Sequence, residues 1–223
     1  MTQHASPSLK QRNQGLLVSF ALIDALAIAS LVFYPRIATF QLSHTVAIRQ
    51  FLIPLLPVAV WLLIDVVPSS IKAVLMFWRL HDALPGHRAF TYYAARDSRV
   101  DLAALQDKLG ELPTDPTKQN TVWFKLYKEV QDNVEILESH KSYLLWRDAT
   151  AFSAVLLVVA PLGLYAFIHS GHAALNSATL FAVQYVACAF AGRNRGIRLV
   201  CNVMSSYIHK TPAQKSTRKK SST

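Results

Sequence analysis

The chain has 223 residues, 52% of them hydrophobic and only 16% charged, with a formal net charge of +10. Soluble domains carry roughly 25% charged residues, so this balance excludes a disordered or charge-rich chain. The apolar residues are gathered into long blocks, which points to a membrane protein rather than a soluble one. Of the thirteen acids, eleven fall between Asp82 and Asp148, so the positive excess belongs to the ends of the chain.

A helix needs about 20 mostly apolar residues to cross the hydrocarbon core of a bilayer. After a cytoplasmic segment at 1–14, the first such block covers 15–34, with Pro35 as its stop signal. Its apolar stretch is long and Asp24 interrupts it, so it reads as an uncleaved span rather than a cleaved leader. The second block begins at Phe51 and is apolar through Val67. It reaches Trp78 if Lys72 snorkels to the headgroups. Pro54, Pro57 and Pro68 fall within it and predict a bend, because each frees a backbone carbonyl. Residues 15–78 are thus expected to form a first transmembrane helix pair.

Residues 79–148 read as a helical cytoplasmic region. Pro85-Gly86 marks a turn, and Ala89, Phe90, Tyr92 and Tyr93 form an aromatic run too brief to assign. Ser98 and Asp101 have the spacing of a capping box before a short helix that Gly110 ends. Asp115 followed by Pro116 is a second helix start. From there Trp123, Leu126, Tyr127, Val130, Val134 and Leu137 recur three and four residues apart and share one face. That face is the candidate partner surface, against the helix after Ser98 or against another subunit. The pattern resumes after Ser139 and can run straight into span three.

A second transmembrane pair is expected at 149–191, with spans at 149–168, carrying Pro161 and Gly163, and at 173–191. The tail at 192–223 begins with Arg193, Arg195 and Arg198, which suit contact with anionic lipid. Ile197, Val200, Cys201, Met204 and Ile208 then make an amphipathic pattern that either lies on the inner leaflet or packs on 98–138. The loops that carry Lys and Arg place both termini and the 79–148 region on the cytoplasmic side of a cell inner membrane. The expected architecture is an all-α membrane protein: four transmembrane helices with a helical cytoplasmic insertion between spans two and three.

Asp24 and Asp65 are the candidate functional residues within the spans. An ionised carboxylate in hydrocarbon is costly, so each should face protein, water or a partner cation. His169 and His172 lie three apart on the outer side, but no further ligands mark a metal site. His81, His87, Arg147 and Asp148 are the sole grouping that could serve a lipid-acting enzyme. Phosphate-binding loops, zinc-protease motifs and nucleophile elbows are missing from the sequence. No catalytic residue, metal or cofactor is therefore assigned. Cys188 and Cys201 suit no disulfide framework and read as small buried hydrophobes.

The leading expectation is a self-associating, non-enzymatic membrane component that acts as an anchor, recruits a cytoplasmic protein partner, or works as a membrane effector. Its layout is analogous to that of bacterial accessory or phage-defence effectors. The alternative is a small ion or proton channel or carrier using the two carboxylates. Expected partners are anionic headgroups and further copies of the chain; nucleic acid is the weaker reading of the basic tail.

Overall fold

A computed structural model describes residues 11–37 and 53–210. Among these residues every regular element is helical and there is no strand. The main helices are α1 (Gln14–Ile37), α2 (Leu56–Leu63), α3 (Ser69–Phe77), α4 (Leu102–Leu109), α5 (Pro116–Val130), α6 (Val134–Gly163) and α7 (Gly171–Ile208). The expected N-terminal segment at 1–10, the connection at 38–52 and the basic tail at 211–223 lie outside the described residues.

Among the described residues, three helices are long and apolar enough to cross a membrane: Gln14–Phe33, Val134–Ile168 and Gly171–Ile208. A fourth crossing exists only if the bent pair Leu56–Val66 and Ser69–Phe77 counts as one span. The two halves of that pair meet at 114°. The bend falls at one of the three prolines: Ile64–Val66 tightens to a 3-10 turn and Pro68 precedes the new helix, whereas Pro54 and Pro57 lie at the start of the first half. At α1 the helix continues past Pro35 to Ile37, so that proline does not stop it.

The described chain divides into two compact units. The first takes residues 1–79 and 141–193. Its core is made by Ala21, Ile28 and Val32 of α1, Val60 and Ile64 of the bent pair, Phe152, Leu156 and Ala160 of α6, and Phe181 of α7. Phe20 meets Phe152 edge to face, with ring centroids 6.0 Å apart. On α7 the backbone at Gly192 comes so close to Met76 that a Cβ there would strike its side chain. Small residues permit this kind of approach between apolar helices.

The second unit takes residues 80–140 and 194–223. Asp101 caps α4 by accepting the Ala104 N–H at 3.1 Å, so the cap is Asp101 itself and not Ser98. Gly110 ends α4 with φ 78°, a conformation that glycine adopts without penalty. Asp115 accepts the Lys118 N–H at 2.9 Å and Pro116 opens α5, as its spacing predicts. The aromatic run is a π-turn at Ala89–Tyr93 between two 3-10 turns, Pro85–Arg88 and Ala94–Arg96. Irregular winding leaves backbone groups to satisfy, and Gln119 of α5 supplies them. Its side-chain oxygen accepts the N–H groups of Phe90 and Thr91, while its amide donates to the Thr114 carbonyl. Gly86 packs so close to Asn120 and Trp123 that any side chain there would collide.

Two expectations about this unit need correction. The face from Trp123 to Leu137 does not lie on one helix, because α5 stops at Val130 and α6 starts at Val134. Asn133 makes the break by accepting the Glu135 N–H at 3.0 Å, an N-cap in the middle of the apolar pattern. The spacing of apolar residues in the sequence runs across the break, but the face does not: Val130 is buried and Val134 is exposed. Nor is there a stop at Gly192: α7 is continuous to Ile208, and Val200, Cys201 and Met204 are buried in the second unit. Trp123 donates to the Val200 carbonyl at 3.4 Å and Lys210 to the Glu129 carbonyl at 2.7 Å. The amphipathic pattern of the tail is therefore satisfied by packing on 98–138 rather than by lying on lipid.

Candidate functional site

In the first unit, α1 buries a stripe of Leu17, Ala21, Asp24, Ile28 and Val32, spaced three and four residues apart. Asp24 is the one polar member of this stripe, and its residue is only 3% exposed. Two other helices bring polar groups to it. Gln184 of α7 donates to Asp24 Oδ2 at 2.9 Å and to Ser153 Oγ of α6 at 3.1 Å. Ser153 donates its hydroxyl to the Ala149 carbonyl at 2.9 Å and lies 3.8 Å from Cys188 Sγ. Gln184 and Cys188 are one helical turn apart, so both face Ser153. The result is a carboxylate, an amide, a hydroxyl and a thiol from three apolar helices. Among the described residues no Lys or Arg pairs with Asp24.

A second polar group surrounds α3. Lys72, read in the sequence as snorkelling, is instead buried and donates to Asp148 Oδ1 at 3.0 Å. Arg147 donates to the same oxygen, with Nη2 at 3.0 Å. Asp148 is thus the counter-charge of a buried lysine as well as of its neighbour Arg147. The C-terminal end of α3 has carbonyls that no further turn satisfies. Tyr185 donates its hydroxyl to the Leu75 carbonyl at 2.7 Å, and Arg193 donates Nε to the Met76 carbonyl at 2.6 Å. A cation suits this end of a helix. The Arg193 guanidinium also lies 3.6 Å over the Trp78 ring, and Trp78 donates its indole N–H to Tyr185 at 2.8 Å.

The remaining predicted residues have other settings. Asp65 is exposed in the 3-10 turn before Pro68. Leu126, Tyr127 and Val130 of the expected partner face are buried within their own unit, Trp123 and Leu137 are half-buried, and Val134 is exposed on the next helix. Tyr127 meets His140 at 2.8 Å and stacks against Trp123; burial raises its phenol above the ordinary range. Arg195 and Arg198 are exposed, whereas Arg193 is engaged by Met76 and Trp78. His169 and His172 are both exposed, and no cluster of three metal-ligating side chains exists among the described residues. His87 stands 3.8 Å from Asp82.

Gln184, Ser153 and Lys72 escaped sequence reasoning as site residues. Gln184 had a signal, being the one amide in the apolar stretch 180–191. Ser153 had none, since a serine in a span commonly bonds its own helix.

No family model, curated protein or solved structure matches the chain.

Proposed function

We propose that the chain is a multi-pass membrane protein with four spans, the bent pair counting as one, and with both termini on the cytoplasmic side of a cell inner membrane. We further propose that the site around Asp24 takes up a proton or a small cation, making the protein a channel, carrier or membrane effector. One observation supports this most directly: a buried carboxylate on an apolar helix is met by a neutral amide and, among the described residues, by no Lys or Arg. Ionised carboxylates are expensive in such surroundings. One amide donor does not offset the full charge, so the site favours binding a proton or a cation from solution. The bent pair lends a second support, because discontinuous helices accompany ion sites in transport proteins. A triggered leak through this site would let the protein serve as an effector in an accessory or defence system.

The test is ion and proton flux into liposomes containing the purified protein. Asp24→Asn should reduce flux to the level of protein-free liposomes, and Asp24→Glu should retain part of it. Full flux in Asp24→Asn would remove this carboxylate from the mechanism.

The reading as a self-associating anchor or recruiting component also has support. Leu22, Ile23 and Leu26 are exposed on α1, beside the partly exposed small residues Ala25, Ala27 and Ala29. Lipid or a second copy of the chain would cover that surface, and the small residues permit close helix contact. The two readings are compatible, since a conducting effector can be an oligomer.

A further inference from the structure

In the second unit, Arg88, Tyr92 and Arg96 recur four residues apart along Pro85–Arg96, and all three are exposed. Both guanidinium groups lie over the one Tyr92 ring, Arg96 at 3.6 Å from its centroid and Arg88 at 6.0 Å. Two like charges are thereby held close together, which favours an anion beside them. Neither forms an ion pair with a carboxylate among the described residues. Arg99, by contrast, is committed to Asp97 at 2.7 Å. The same stretch exposes two large apolar side chains, Leu80 at 83% and Leu84 at 37%.

Guanidinium groups bind phosphate oxygens well. Tyrosine and leucine beside them suit the boundary between headgroups and acyl chains. We propose that Leu80, Leu84, Arg88, Tyr92 and Arg96 form a surface that docks on the anionic phospholipid headgroups of the bilayer. This rests on the reading of the chain as a membrane protein: Arg88 follows Phe77, the end of the bent pair, by eleven positions, which keeps it within chain reach of a bilayer crossed by that pair. Nucleic acid fits less well, because the exposed leucines would gain nothing from it and Arg96 already occupies the tyrosine ring.

The experiment is hydrogen–deuterium exchange of the full chain in nanodiscs of phosphatidylcholine alone or with phosphatidylglycerol. Peptides within 80–96 should exchange several-fold more slowly in the anionic discs. That difference should shrink at high salt and vanish in the double variant Arg88→Gln with Arg96→Gln. Arg88→Lys with Arg96→Lys, which keeps both charges, should retain most of it. Peptides of 116–130 report whether each variant keeps its fold, and the comparison of discs with the unaltered chain stands without any variant. Equal exchange in the two kinds of disc would overturn the proposal while leaving the membrane reading intact. Failure of the chain to enter discs at all would overturn the membrane reading itself. Protection in phosphatidylcholine discs by inorganic phosphate or by a short oligonucleotide would also overturn the proposal, in favour of a free-anion or nucleic-acid site.

Discussion

Asp148 and Lys72 form a buried pair, but they do not depend on each other equally. Asp148 accepts from two cations, Lys72 and Arg147, whereas the hydrogen bond shown for Lys72 goes to Asp148. Removing one member of a buried pair strands the other's charge and costs about 3–5 kcal/mol. Asp148→Asn should show a loss of that size when unfolding is followed in detergent. Lys72→Met should cost less, because Arg147 still neutralises the carboxylate. If the Lys72 variant were the weaker of the two, the pairing described here would be wrong. None of this could be read from the sequence beforehand. Seventy-six positions separate the partners, and a lysine near the end of a span has the bland alternative of reaching toward water. Asp24 was legible because it is the one charged residue in the block 15–34, but that block is apolar on every side, so nothing in it marked which helices meet the carboxylate.

Elements were legible where local chemistry decides them and opaque where a long-range contact does. Asp115-Pro116 and Gly110 act within one turn of themselves, and both boundaries fall as their residue types require. The π-turn at Ala89–Tyr93 depends on Gln119, twenty-eight or more positions away, and no local pattern announces it. Asn133 lay hidden for the opposite reason: the apolar repeat runs straight across it. The turn before α4 is a further local device. Asp97 accepts the Arg99 N–H at 3.0 Å, and the Arg99 guanidinium donates to both of its oxygens. That guanidinium holds the Asp97 carboxyl far below the usual carboxylate range. A carboxyl whose pKa is lowered by folding adds stability above its unfolded value of about 4, and that stability is lost as pH falls below it. The gap in melting temperature between the wild type and Asp97→Asn should therefore be open at neutral pH and narrow progressively as pH falls below about 4. A gap that stayed constant with pH would show that the ion pair contributes nothing.

For the whole molecule, the all-helical class and the apolar crossings followed from block length and composition. The number of crossings did not, because a proline-rich block can bend back as readily as pass through. Self-association belongs to this scale as well. In mild detergent, light scattering coupled to gel filtration should give a protein mass that is a multiple of 24.9 kDa. A strictly monomeric peak at all concentrations would leave the exposed side of α1 to lipid alone. The division of the chain into two units has a consequence for biosynthesis. Neither unit is encoded by an uninterrupted stretch, since the second is opened by residues 80–140 and completed only by residues after 193. The ribosome makes Leu126, Tyr127 and Val130 well before Val200 and Met204, and a long apolar segment must be delivered in between. A nascent chain halted near residue 193 would hold an unfinished hydrophobic surface, a natural target for chaperones or proteases, and the last helical turns of α7 would decide when it matures.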